Sequence, residues 1–429
     1  MICRFARLAA FSAAMILATM ATRSASAAEN LSPLGKSPDW RYLERYQGTI
    51  THDEFQRLIE TVYCTHGVSD RLLRIGPDSA QLLMSAEAQT WFTLRFARNA
   101  EARKRVARYW RKARDLPGQR HGPLTDLRVA IDPGHIGGNW ARMEERWFQV
   151  RDTTPVQEGD MTLRVARILA PRLRALGARP VLARSRLEPV TDKRPDDLRE
   201  LARAILSKAL STTPPENFTG PDDPQKEQSV RWQSELLFYR NSEIRARAEL
   251  VNSSLRPDLV LCLHFNAEPW GEPQNPTLVE KNHLHLLVNG AYLESELQFD
   301  DNRYEMLRRL LLRTYDEEAP LAEKLAASMQ KHTQLPPYDY TTGNVTKIGV
   351  TGYVYARNLL ANRLYRCPVI YFEPYVMNGN QAFARIEAGD YEGTRSINGI
   401  ERASIFREYA DGVVEGLVDY YRTATSSLR

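Results

Sequence analysis

The sequence predicts an α/β fold: a mostly parallel sheet covered by helices on both faces, preceded by a small N-terminal α+β domain. Three observations predict it. From residue 127 onward, short apolar runs alternate with amphipathic helices, the rhythm of βαβ units. One of those runs, Asp258 to Phe265, is apolar at nearly every position, as a strand buried on both faces has to be. Before residue 121 the rhythm differs, with one helix followed by closely spaced short strands.

Composition sets the outer bounds. An apolar fraction of 43% and a charged fraction of 26% belong to an ordinary globular chain, and 429 residues suffice for one large core and a smaller one. Residues 1–28 read as a secretory leader. Arg4 and Arg7 open it, Leu8 to Ala21 is apolar, and Ala25-Ser26-Ala27 or Ser26-Ala27-Ala28 supplies the small-residue cleavage pattern. The apolar run falls short of the roughly 20 residues a spanning helix needs. The expectation is therefore export to the periplasm or the exterior, with no transmembrane segment in the mature protein. Removing Arg4, Arg7 and Arg23 brings basic and acidic residues close to balance. With no basic stripe interleaved with aromatics, nucleic acid is not an expected partner.

Residues 29–120 form the small unit. Thr51 is placed to cap a helix whose Phe55, Leu58, Ile59 and Val62 share one face. Strands are expected near 72–75, 81–84 and 91–94, then a basic helix from Ala100 to Ala113 and a Pro/Gly linker at 116–123. The unit contains no catalytic pattern and reads as a brace, or as a binder of a partner or polymer.

The main domain, 124–429, begins with the strand Leu127 to Ile131. The helix after Glu158 carries Leu163, Ala166, Leu169 and Leu173 on one face and stops at Gly177, with Pro171 predicting a kink rather than an end. Further strands are expected at 180–183, 258–265, 285–288, 352–356 and 369–372, and covering helices at 321–329 and 405–421. Two insertions, 185–244 and 268–351, are too long for plain connections and read as lids, binding loops or decoration. The first holds a helix at 198–210 and leads into a long polar helix around 225–253.

The chemistry centres on Asp132-Pro133-Gly134-His135, where a buried run stops at a tight turn and presents an imidazole at the carboxyl end of a strand. Open α/β sheets place their ligands there. Glu158, His264 and Glu373 also fall at strand ends or a helix start. His135, Glu158 and His264 read as a zinc site, since catalytic zinc takes three protein ligands and His₂Glu is one such set. Glu373 reads as the carboxylate that shuttles a proton. Each has a plainer alternative: a hydrogen-bonded structural histidine, a carboxylate favoured by a helix N-terminus, a solvated Glu-Pro turn. Cys262, two residues before His264, reads as a small core residue, with approach to the metal as the lesser alternative. Cys64, Cys262 and Cys367 are an odd set, and a Cys262–Cys367 disulfide is permitted but not deducible. His283 and His285 alternate on one strand and read as ordinary strand residues rather than ligands.

These residues carry a resemblance. From about 127 to 424 the chain resembles the zinc-dependent N-acetylmuramoyl-L-alanine amidases, peptidoglycan hydrolases built on an α/β sheet. The family's strand-DPGH turn matches Val129 to Gly138, and its ligand Glu leading an amphipathic helix matches Glu158 to Gly177. Its Arg/Asn segment and its strand ending in HxNA match Arg247–Asn252 and Asp258–Ala267. Its apolar strand ending in a catalytic Glu matches Val369–Glu373. The resemblance implies Zn²⁺ on His135, Glu158 and His264, Glu373 as the catalytic carboxylate, and Asn266 orienting a ligand or substrate. It implies peptidoglycan or muropeptides as substrate. The run Pro374 to Gly379 departs from the family and alters the groove wall. An exported zinc carboxypeptidase or other amidohydrolase, and a non-catalytic peptidoglycan-binding protein, are the rival readings. The 185–244 insertion suggests a cover over the zinc that a protein activator would displace.

Overall fold

The computed structural model describes residues 30–117, 122–210, 212–220 and 222–426. The leader expected over 1–28 lies outside them, as does the middle of the 116–123 linker.

In the N-terminal unit, α1 (His52–Leu58) starts where Thr51 accepts a hydrogen bond from the Glu54 amide at 3.4 Å. It packs with an antiparallel sheet of β1 (Leu73–Ile75), β2 (Ser79–Ser85) and β3 (Thr90–Arg95). The basic helix expected over 100–113 does not form; most of that stretch is irregular backbone. Its cations do not share one face but reach separate acids: Arg103 to Glu54 at 3.0 Å, Arg111 to Asp258 at 2.7 Å, Lys112 to Asp316 at 3.1 Å. Trp110 meanwhile inserts against the main sheet. Tertiary anchoring outweighs the weak helical preference of a basic run.

The main sheet starts with β4 (Arg128–Pro133). A two-strand ribbon, β5 (Trp147–Phe148) and β6 (Val156–Gln157), leads into α2 (Glu158–Ala175) and β7 (Arg179–Leu182). α2 runs through Pro171 and closes with Gly177 at φ 92°, a left-handed position that glycine occupies without a Cβ clash. Next come α3 (Arg199–Leu210), α4 (Val230–Leu236), α5 (Glu243–Glu249), β8 (Leu259–Leu263) and β9 (Leu284–Val288). Then α6 (Asp300–Leu312), α7 (Tyr315–Thr333), β10 (Val345–Ile348), β11 (Val354–Arg357), α8 (Leu360–Leu364) and β12 (Val369–Pro374) follow. The chain ends with α9 (Asn380–Glu387), the hairpin β13 (Thr394–Ile397) and β14 (Ile400–Ala403), and α10 (Ile405–Ser426).

The seven-stranded sheet runs β10-β11-β9-β12-β8-β4-β7. Strands β7, β4, β8 and β12 are parallel, and β9 and β11 are parallel to each other but run against β12. Between β8 and β9 there is no helix to carry the chain back across the sheet, and β9 takes the opposite direction. The two-residue period of β8 sorts its side chains. Leu259, Leu261 and Leu263 enter the core under α2, α7 and α10, while Val260 and Cys262 face Trp110, Ala248, Val251 and Tyr365. Both faces are covered, as the apolar run implied. Cys64, Cys262 and Cys367 are buried free thiols.

The long polar helix is present and continuous from Val230 to Leu255, with α-turns interrupted by π-turns at Leu237–Ser242 and Leu250–Leu255. With α3 it builds a satellite core in which Leu198, Ala202, Leu206, Val230 and Phe238 pack over Ile136. The insertion is thereby fixed directly beside the DPGH turn. Helix α6 joins the N-terminal unit: Met306, Leu307, Leu310 and Leu311 share a core with Phe55, Leu58 and Leu82. Sequence periodicity misses α6 because Arg303, Arg308 and Arg309 are also buried there.

Candidate metal centre

Sheet geometry brings the predicted residues together. β4 and β8 are parallel neighbours in register Pro133↔Leu263, so the residues that follow both strands emerge side by side. The Gly134 amide donates to the Leu263 carbonyl at 2.8 Å. A Cβ on Gly134 would lie 2.2 Å from the His264 ring, which is why the turn needs glycine there. His135 itself takes φ 56°, a left-handed conformation that costs a non-glycine residue about 1 kcal/mol.

Glu158, 2% exposed at the start of α2, joins the two histidines. One carboxylate oxygen lies 2.9 Å from His264 Nδ1 and the other 3.1 Å from His135 Nε2. One donor atom from each of His135, Glu158 and His264 falls within 4.8 Å of the others, and no further group of this kind occurs among the described residues. Ligands about 2.0–2.2 Å from a tetrahedral zinc are themselves a little over 3 Å apart, so the donor set fits the ion. Electrostatics favour the metal-binding form at two of the three donors, Glu158 and His264. Burial alone would raise the Glu158 pKa, but His135 and His264 hold it well below the usual carboxylate range. Burial lowers the His264 pKa, favouring the neutral imidazole a metal needs.

Two residues that sequence reasoning missed hold this set in place. Glu144, 2% exposed, accepts from the amides of Ile136 and Gly137 and lies 3.5 Å from His135 Nδ1. It thus faces the ring nitrogen opposite the one turned to Glu158, the position from which a carboxylate orients a metal-binding imidazole. Burial opposes the charged form of His135, yet Glu158 and Glu144 together raise its pKa to about 9. Arg184 donates to the Gly159 carbonyl at 3.0 Å and reaches the Pro133 and Gly134 carbonyls, pinning the turn to the start of α2. Neither had a readable signal, because both act from irregular segments on the backbone or on another side chain. Arg247 does have one, in the Arg/Asn segment: it donates to the carbonyls of Pro133 and His135 and pairs with Asp132 and Glu243. Replacing Glu144 with Gln is expected to lower metal affinity about 10- to 100-fold while the fold persists, measurable by competition with a zinc indicator.

Glu373 and Asn266 line the same cleft, about 760 Å³ in volume. Glu373 sits near the end of β12, in register opposite His285 of β9. Burial, and then the negative charge of Glu158, push its carboxyl well above the usual range. The Asn266 side-chain oxygen accepts from the Ala267 amide at 2.6 Å and its own amide donates to Tyr375 O, so it shapes the β8 exit loop. The Arg146 guanidinium lies 3.2 Å from Glu158. Across the cleft, α4–α5 contribute Tyr239, Arg240 and Glu243 as a wall, the first two from a π-turn. Cys262 is not part of the donor group; its thiol lies 4.0 Å from Asp132. His283 and His285 also stay apart from it. His285 accepts or donates at 2.8 Å with the Tyr340 hydroxyl, and His283 has a carboxylate 3.9 Å away in Glu268.

No protein-family model and no curated protein sequence matches the chain. Among solved structures it is similar to the N-acetylmuramyl-L-alanine amidase of Mycobacterium abscessus, at 18% identity and TM-score 0.36, covering 69% of this chain and 99% of that one. It is similar to the N-acetylmuramoyl-L-alanine amidase of Clostridium difficile 630, at 17% identity and TM-score 0.35, covering 71% and 98%. It is also similar to the catalytic domain of such an amidase from Bacillus (Paenibacillus) polymyxa, at 11% identity and TM-score 0.35, covering 71% and 100%.

Proposed function

We propose that this chain is an exported zinc-dependent N-acetylmuramoyl-L-alanine amidase, hydrolysing the amide between N-acetylmuramic acid and L-alanine in peptidoglycan or muropeptides. One observation carries the reading: a His135–Glu158–His264 donor group, with Glu158 buried beneath, opens into a cleft that Glu373 also lines.

His135, Glu158 and His264 would hold a zinc ion, which when bound would supply Lewis acidity at the scissile carbonyl and lower the pKa of water. The protein does the rest. Glu373 takes a proton from the attacking water and delivers it to the departing alanine nitrogen, so no charged amide is expelled. Burial of Glu373 raises its proton affinity, which favours the first transfer, from water to the carboxylate. Glu144 keeps the His135 ring oriented, and Arg184 and Arg247 hold the turn that carries it. Asn266 fixes the loop beyond β8 over which the substrate lies. No helix among the described residues is long and apolar enough to cross a membrane.

The long helix that ends the 185–244 insertion lines the cleft with Tyr239, Arg240 and Glu243, and a protein activator that shifts this wall is the partner we assign to it. Excising 199–228, whose Ala202 and Leu206 pack against Leu237 and Phe238 behind that wall, is expected to loosen it and raise the basal rate; an unchanged rate removes the activator from the proposal.

The deciding experiment measures new L-alanine amino termini on purified peptidoglycan incubated with the mature protein, with zinc and with chelator. Release that requires zinc establishes the activity. Release of free C-terminal amino acids instead would identify a carboxypeptidase, and binding without any release would identify a non-catalytic peptidoglycan-binding protein.

A further inference from the structure

At the opposite end of the sheet from the metal centre lies a second hollow, about 360 Å³, lined by Arg45, Arg108, Arg256, Arg308 and Arg366 and by no carboxylate. Topology separates the two sites. His264 and Glu373 follow or close the carboxyl ends of β8 and β12, whereas Arg256 and Arg366 precede the amino ends of the same strands.

The arginines are held in ways that leave donors free. The Arg45 guanidinium lies 4.0 Å from the Tyr42 ring centre, and that of Arg256 lies 4.9 Å from the Tyr109 ring centre. Stacking on an aromatic face fixes the plane of a guanidinium without using its N–H groups. Among the described residues, Arg45, Arg256 and Arg366 have no carboxylate at ion-pair distance. Arg108 has only Asp115 at 3.9 Å, and Arg308 pairs with Glu305. Arg308 is 3% exposed, and its Nε is buried without a hydrogen-bond partner. Arg256 adopts φ 45° at the end of the Leu250–Leu255 turn, a left-handed position that glycine or asparagine would fill with less strain. Several uncompensated like charges around one concavity repel one another, and a bound anion removes that repulsion.

We propose that this arginine hollow binds a phosphate group, either free in solution or carried by a lipid headgroup. A carboxylate offers two oxygens and one charge. A phosphate offers three or more acceptor oxygens and up to two charges, and matches several guanidinium forks at once. Tyr42 and Tyr109 line the hollow and give it walls for the group that bears the phosphate. Its place at the far end of the sheet leaves the amidase cleft open while it is filled.

The test uses the mature chain and two probes: pyrophosphate in a calorimeter, and sedimentation with vesicles of phosphatidylcholine alone or mixed with phosphatidylglycerol. Saturable one-site binding of either probe is expected. The double variant Arg256→Glu with Arg366→Glu should weaken it by at least about tenfold, the scale of a charge-assisted hydrogen bond. Both side chains are exposed, and an unchanged melting temperature would show that the fold is intact. Arg105→Glu, an exposed arginine outside this hollow, should leave binding as it was. Loss of anionic-vesicle binding in the double variant would identify a lipid source; binding of pyrophosphate alone would identify a soluble one. The proposal is overturned if neither probe binds saturably. It is equally overturned if the Arg105 variant loses as much as the double variant, because the anion would then sense only the general basic surface.

Discussion

Glu373→Gln, loaded with zinc, is expected to retain the metal and lose turnover by a factor of about 10²–10⁴, the range that positioned proton transfer contributes. The substitution is nearly isosteric and removes only the ability to accept and return a proton. Glu373 is not in the donor group of His135, Glu158 and His264, so zinc stoichiometry should stay at one per chain. The raised proton affinity of this carboxyl has two causes, burial first and the charge of Glu158 second. A zinc ion beside Glu158 would offset the second cause, leaving burial to keep the group basic enough to take the proton from water. The measurement pairs metal analysis with the alanine-release rate. Retained rate with retained zinc would remove Glu373 from the mechanism and leave the metal site standing. Loss of both would mean that Glu373 holds the metal rather than the proton.

The site was legible to the extent that its chemistry sits on regular elements. His135, Glu158, His264 and Glu373 each close a strand or open a helix, where a pattern break in an apolar run is visible, and β4, β8 and β12 are adjacent parallel strands that bring those breaks together. The two-faced burial of β8 was readable from its unbroken apolar composition. Glu144 was not, because it works through an eight-residue return to the Ile136 amide inside an irregular loop, with no period to mark it. The basic run 100–113 misled in the other direction: a helix-compatible composition is held in irregular backbone by ion pairs to three distant acids. Helix α6 was invisible for a third reason. Its buried side carries arginines, so hydropathy reads as polar a helix whose faces are nearly all enclosed.

Those enclosed arginines lead to the second large effect. Arg309→Met is expected to destabilise the fold by about 3–5 kcal/mol, the usual result of leaving one member of a buried ion pair behind. Arg309 and Glu318 are both fully buried and paired, and Arg309 also donates to the carbonyls of Tyr365 and Cys367 at 2.6 and 2.7 Å. Glu318 accepts from the Val369 amide at 2.8 Å, the first residue of β12. The pair therefore ties α6 and α7 to the start of the strand that carries Glu373. Removing the cation strands a carboxylate with no water to solvate it. Removing both charges, as Arg309→Met with Glu318→Leu, should recover most of the loss, because the desolvation of two ions is relieved together. Denaturant unfolding of the two single variants and the double variant gives the coupling directly. Additive losses would mean that the two side chains act separately, Arg309 through its carbonyl bonds and Glu318 through the Val369 amide. A coupling of several kcal/mol would place the anchor of β12, and with it the position of Glu373, in a charge pair at the far end of the strand.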